Sequence, residues 1–233
     1  RSAGLSWTPG VRAAQPDGDL RAGRGISAVN DFAFDLLRHG DTGQRSYRGQ
    51  LDDPLTDVGW SQLRAAVDGH QWDRIVSSSL SRCAAFGAEL AAARGVPLHL
   101  DDRLAEYHFG HWQGVPIETL AEEQGDALGR FWADPVAHPP PGAETFHAFA
   151  VRLSQALDAA RGHAGERVLV VTHGGAIRLL RCLGEGRSYG DMAGIDVPHA
   201  SIHRLPWPPS ARMLPAQLPA TRSTAPRDAG VPC

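Results

Sequence analysis

The chain has 233 residues, 42% of them hydrophobic, and a formal net charge of −3. That is enough chain for one well-filled domain, and too little charge imbalance to argue for a nucleic-acid partner. Every basic residue is an arginine, which excludes the chemistry that needs lysine: Walker-type phosphate loops and Schiff-base catalysis.

Residues 1–31 lack sustained periodicity, carry Gly, Pro, Ser and Arg in loop-like proportions, and are expected to form a mobile N-terminal extension. Residues 32–205 alternate strand and helix signals. Phe34–Leu37 reads as a first buried strand. Thr56 can cap a helix whose apolar stripe is Trp60, Leu63 and Val67. Trp72–Ser77 is a second strand, and Leu80–Arg94 a helix stopped by Gly95. Val96–Leu100 gives a third strand; Ile117–Trp132 and Glu144–Arg161 read as helices, the second closed by Gly162. Arg167–Thr172 is the strongest strand, and a helix follows it through Leu183. Ser201–Leu205 supplies a last strand, and residues 206–233, dense in proline, are expected to be a mobile tail. The alternation predicts an α/β, three-layer, doubly wound, mostly parallel sheet with helices on both faces.

Cys83, Cys182 and Cys233 are too widely spaced for a disulfide framework or a zinc site, and Cys83 and Cys182 fall on helix faces where small buried thiols are ordinary. His108 and His111, with His99 or His138, lack metal-ligand spacing, so no metal or other cofactor is expected. No apolar run is long enough to cross a bilayer and no leader-like apolar region is seen, so a cytoplasmic location without membrane insertion is expected.

Chemistry-bearing side chains fall where strands end. Arg38 and His39 follow the first strand and His173 follows the strongest one; each histidine precedes a glycine that permits a sharp turn and a close ligand. Ser77–Ser79 and Arg82 open a helix whose free N–H groups favour an anion. Glu106 lies in an aromatic- and glycine-rich loop, Leu104–Gly114. Two arginine forks, a histidine and helix-terminal amides can bracket the oxygens of a phosphoryl group. A neutral imidazole can attack phosphorus, and a carboxylic acid can protonate the leaving oxygen and later take a proton from water.

Arg38-His39-Gly40-Asp41-Thr42, Arg48-Gly49, Asp53-Pro54-Leu55-Thr56 with Gly59, Ser77–Arg82, Glu106 with Phe109-Gly110, and Thr172-His173-Gly174-Gly175 resemble, in this order, the motifs of the histidine phosphatase superfamily. The resemblance covers roughly residues 33–205. It implies a doubly wound fold and a metal-independent phosphohistidine intermediate. It further implies His39 as nucleophile, Glu106 as proton donor, and Arg38, Arg82 and His173 as holders of the phosphoryl oxygens, with Thr42 and Gly174 beside the substrate. Many members carry asparagine three positions after the Thr42 equivalent. Here that position is Arg45, and Arg45 or Arg48 is expected to supply positive charge in its place.

Within the family, Arg48–Thr56, Trp72–Ile75, Ser81–Ala84 and Gly129–Pro135 resemble bacterial α-ribazole phosphatase-like proteins. That resemblance implies removal of the 5′-phosphate of α-ribazole phosphate or a cobamide phosphate in cobalamin biosynthesis. Tyr107, Phe109, Trp112 and Trp132 could wall a pocket for a flat base, or could equally be core. The alternative is a broad-specificity small-molecule or sugar phosphatase. Mutase activity is disfavoured because Gly129–Pro135 stands where mutases carry an Arg-Arg-Ser-Tyr stretch, and a non-catalytic binding module is disfavoured because the motif residues are all present. The expected partner is a small phosphorylated substrate.

Overall fold

The computed structural model describes residues 32–209; the expected N-terminal extension, and the expected tail beyond Pro209, lie outside the described residues. Five strands form one sheet in the order β3-β2-β4-β1-β5. These are β1 (Ala33–Arg38), β2 (Arg74–Ser77), β3 (Leu98–Leu100), β4 (Val168–Thr172) and β5 (Ile202–Pro206). β1, β2, β3 and β4 are mutually parallel, and β5 runs antiparallel to β1. The mostly parallel, doubly wound α/β sheet is thus as expected.

Strand alternation sorts side chains to two cores. Phe34, Leu36, Val76, Val168 and Val170 face one side, packed against α4 (Phe146–Ala159) and α5 (Gly174–Glu185) through Phe149, Leu153, Ile177 and Leu180. Leu37, Ile75, Leu169 and Val171 face the other, packed on α1 (Asp57–Ala66) and α2 (Ser81–Arg94) through Leu63, Phe86 and Leu90. β4 is buried at every residue because it has a strand on each side and helices above and below, which is why its sequence is an unbroken apolar run.

Boundaries shift where local bonding decides. Thr56 caps α1 as expected, accepting from Gly59 N. Gly95 ends α2 in the left-handed conformation. α3 (Ile117–Ala133) is broken by non-helical backbone at Gln124, a kink that its apolar spacing did not announce. α4 starts after its Thr145 cap and ends at Ala160, short of Gly162. At the C-terminal end the ordered core runs past residue 205: Pro206 completes β5 and Trp207 is buried, its Nε1 donating to Asp158.

Candidate active site

β1 and β4 are neighbours, and their following helices leave to opposite faces: α1 to one core, α5 to the other. Such a switch point opens a crevice beyond the carboxyl ends of the strands. Register pairs Arg38 with Thr172, so the next residue of each strand, His39 and His173, enters this crevice at one level; His39 N donates to Thr172 O at 3.0 Å. The two rings stand edge to face with centroids 5.3 Å apart. The turn after His39 is tight against α1. A side chain at Gly40 would collide with the Gly59 main chain, and one at Gly59 with the Asp41 main chain.

His39 Nδ1 lies 2.8 Å from Gly40 O. A carbonyl can only accept, so Nδ1 carries the proton and Nε2 keeps its lone pair. Burial, then the Arg82 and Arg38 guanidiniums, hold the His39 pKa well below the usual histidine value. At neutral pH the ring is therefore an uncharged base, the form that can attack an electrophile.

His173 is fully buried. Arg82 Nε donates to its Nδ1 at 3.3 Å, which leaves Nε2–H facing Ser78 Oγ at 2.9 Å. Burial and Arg82 lower its pKa well below the histidine value too. Arg82 itself is almost wholly buried and also donates to Leu51 O at 2.7 Å and Gly49 O at 2.6 Å, tying the 49–51 turn to the site. Arg38 donates to Val197 O at 2.6 Å.

Glu106 hangs on the first turn of α5. Its Oε2 accepts from Gly175 N at 2.8 Å and its Oε1 from Ala176 N at 3.1 Å and Tyr107 N at 2.9 Å. A carboxylate at a helix N-terminus complements the helix dipole. Gly175 makes this possible, since a Cβ there would sit on the Glu106 carboxylate.

These groups surround a cavity of about 250 Å³ lined by Arg38, His39, Thr42, Arg82, Glu106 and Gly174, with Arg45 and Arg48 at its rim. The sequence-derived site residues thus converge, His173 excepted: it stands behind Arg82 without lining the cavity. Two expectations need correction, on the start of α2 and on the aromatic residues. The first turn of α2 is not open to a substrate anion, because Ser81 N and Oγ both donate to Asp52 Oδ1, at 2.6 and 2.7 Å. Arg45 and Arg48 both line the cavity, where each is ion-paired: Arg45 meets Glu118 at 3.1 Å, and Arg48 is gripped by both oxygens of Asp53 at 2.7 Å. Tyr107 and Trp112 belong to the core; Tyr47 lines the cavity with Phe109 and Trp132, stacking on Phe109 and accepting a hydrogen bond from Trp132 Nε1.

Two further cavity residues escaped the sequence reading. Arg178 is buried on α5, one turn beyond Gly174, with Nε donating to Ile195 O at 2.9 Å. An arginine inside Ala176-Ile177-Arg178-Leu179-Leu180 was a readable signal, because a cation on a buried helix face needs a reason. His199 lies in the turn before β5, its ring 5.6 Å from that of His39, and burial lowers its pKa to about 4. Nothing in its sequence neighbourhood marks it.

The cavity presents five arginines against two carboxylates around an uncharged imidazole. This is the class of site an α/β enzyme uses to hold an anionic, tetrahedral group against a nitrogen nucleophile. The chain belongs to the histidine phosphatase superfamily (branch 1), whose family model matches residues 34–214. Among curated relatives, the bifunctional protein Rv2228c of Mycobacterium tuberculosis is 35% identical over 178 residues, covering 72% of this chain and 48% of that protein. The chain thus spans about half the length of that relative. Mycobacterial glucosyl-3-phosphoglycerate phosphatase Rv2419c superposes with a TM-score of 0.66 at 28% identity, over 74% of this chain and 88% of that one. The α-ribazole phosphatase from Shigella flexneri superposes with a TM-score of 0.60 at 25% identity, over 74% and 89%.

Proposed function

We propose that His39 is the nucleophile of a two-step phosphomonoesterase. The observation that carries this reading is the neutral His39 ring, pinned through Nδ1 to Gly40 O on the cavity wall between Arg38 and Arg82. In the first step Nε2 attacks phosphorus, the ester P–O bond breaks, and the Glu106 carboxyl gives a proton to the departing alkoxide. In the second step water attacks the phosphohistidine, Glu106 takes its proton, the P–N bond breaks and phosphate leaves. Arg38 and Arg82 stabilise the charge on the equatorial oxygens, with Thr42 and the α5 start at Gly174 beside them. His173 acts behind Arg82, fixing its direction. No step calls for a metal.

For the substrate we favour the 5′-phosphate of α-ribazole phosphate or a cobamide phosphate. Support comes from the resemblance of Arg48–Thr56 and Gly129–Pro135 to α-ribazole phosphatase-like proteins, from the likeness to the Shigella enzyme, and from the aromatic residues Tyr47, Phe109 and Trp132 in the cavity lining. A second reading, a sugar phosphatase, is favoured by the likeness to glucosyl-3-phosphoglycerate phosphatase and by the polar rim of Arg45, Gln44 and Ser46. Phosphate release from α-ribazole 5′-phosphate, a glucosyl phosphoglycerate, 3-phosphoglycerate and an aryl phosphate, each with chelator present and with His39→Ala as control, separates them. A preference of orders of magnitude in kcat/KM for the first supports the cobamide reading. Even rates across the panel remove it. Turnover by His39→Ala removes the nucleophile assignment.

A further inference from the structure

Arg152, on α4, lies outside the cavity, yet its guanidinium is engaged at all five N–H positions. Nη1 donates to Arg103 O at 2.9 Å and Ala105 O at 2.6 Å, and Nη2 donates to Glu106 O at 2.8 Å. The remaining two donors close a fork on Glu144: Nε to Oε2 at 3.0 Å and Nη2 to Oε1 at 2.6 Å. Glu144 completes the frame, because Oε1 also accepts from His108 N at 2.8 Å and its carbonyl accepts from Tyr107 Oη at 2.7 Å. The guanidinium lies 4.7 Å from the Phe149 ring centroid, and both partners of the ion pair are mostly shielded from water.

Residues 105–108 belong to no helix or strand; they follow the single 3-10 turn Asp102–Leu104, and the Glu106 carbonyl also accepts from Gln50 Nε2 at 3.2 Å. Three carbonyls in four residues converge on one planar cation, and the last of the four carries the carboxylate that the α5 amides hold from the other side. We propose that the Arg152–Glu144 pair is the positioning device for Glu106: it fixes the main chain so that the carboxyl meets the leaving oxygen. The pair touches neither substrate nor cavity and acts only through Glu106. This rests on the reading of Glu106 as proton donor. A lysine cannot replace the fork, since one ammonium offers its donors from a single point.

The test compares leaving groups. A proton donor matters for an alkyl phosphate, whose alkoxide leaves poorly, and little for p-nitrophenyl phosphate, whose phenolate leaves unaided. Phosphorylation of His39 sets kcat/KM, so that constant is measured for both esters, the alkyl ester being the one turned over fastest in the panel above. Arg152→Lys and Glu144→Gln are each set beside Glu106→Gln as benchmark, with thermal midpoints recorded. A misplaced donor is expected to lower alkyl-phosphate kcat/KM roughly 10- to 100-fold, and the p-nitrophenyl value by less than about threefold. Glu144→Gln keeps a hydrogen-bonding side chain and serves should the arginine variant not fold. Equal losses on both esters, or no loss on either, overturn the positioning role while Glu106→Gln remains selective. A Glu106→Gln variant without selectivity overturns the donor reading and this inference together.

Discussion

At the scale of single residues, protonation states carry the account. The Gly40 carbonyl sets one tautomer at His39 and Arg82 sets the opposite one at His173. A nitrogen-resolved NMR titration should find His39 protonated on Nδ1, His173 on Nε2, and both still neutral at pH 5.5; titration near the ordinary histidine value contradicts this. Gly175 gives a second prediction. The atom that a Cβ would strike belongs to the flexible end of Glu106, so Gly175→Ala should fold, destabilised by about 1 kcal/mol because the first-turn amides of α5 lose their acceptor. Its alkyl-phosphate kcat/KM should fall roughly 10²-fold, because the displaced carboxyl no longer meets the leaving oxygen. A full-rate enzyme would show that the carboxyl is not needed where the α5 amides hold it. His39, His173 and the glycines that follow them were legible because an apolar run ending in His-Gly marks a buried strand that delivers an imidazole to the carboxyl edge of the sheet. The partners that fix them were not, because a loop carbonyl such as Gly40 O or Val197 O is supplied by backbone and leaves no mark in side-chain identity.

At the scale of elements, the helix starts show what pattern reading misses. An acceptor from sequence-distant Asp52 fills the first turn of α2, the turn that carries Arg82 into the site. Asp52→Ala should cost about 1 kcal/mol of stability, as loss of a helix cap does, and should raise KM for substrate more than it lowers kcat as Arg82 loosens. Urea denaturation together with steady-state kinetics checks both halves; unchanged stability would mean that water replaces Asp52 without cost. The same limit explains the kink in α3. Its apolar spacing marks the buried faces on either side of Gln124, where Trp112 Nε1 donates to the Gln124 side chain, and such a tertiary bond has no local signature. Strands β1 and β4 were legible to within a residue or two: helices cover both faces of β4, so its run is apolar up to Thr172, and β1 departs from that before Arg38 only at Asp35, which accepts from Trp72 Nε1. Edge strand β3 is shorter than its Val96–Leu100 pattern, because only Leu98–Leu100 find partners on β2.

At the scale of the whole molecule, buried His39 and His173 and half-buried His199 cluster at the carboxyl edge of the sheet, and all three have lowered pKa values. In the unfolded chain they titrate near 6.5, so below that pH the unfolded state binds more protons than the folded one. Their contribution to stability is thus complete above about pH 6.5 and is lost as pH falls toward the folded values, about 4 for His199. The thermal midpoint should decline between pH 6.5 and 5, above the range of ordinary carboxylates; a flat midpoint there contradicts the buried neutral state. Because the crevice is charged for an oxyanion, inorganic phosphate or vanadate should raise the midpoint by mass action, and the rise should shrink in Arg82→Ala. Fold class was readable from the alternation of strand and helix signals. Which aromatic residues wall the cavity was not, because Tyr47 stacks on the Phe109 ring while Tyr107 meets it at right angles, a difference that tertiary packing sets.

The central claim is a covalent phosphate on His39. Rapid quenching of the enzyme with a phosphorus-labelled aryl phosphate tests it most directly, followed by peptide mapping of the label. The expected result is a burst of acid-labile, alkali-stable label approaching one per active site, located at His39 and absent from His39→Ala. Turnover without a labelled protein species, or label that persists in His39→Ala, would contradict the account.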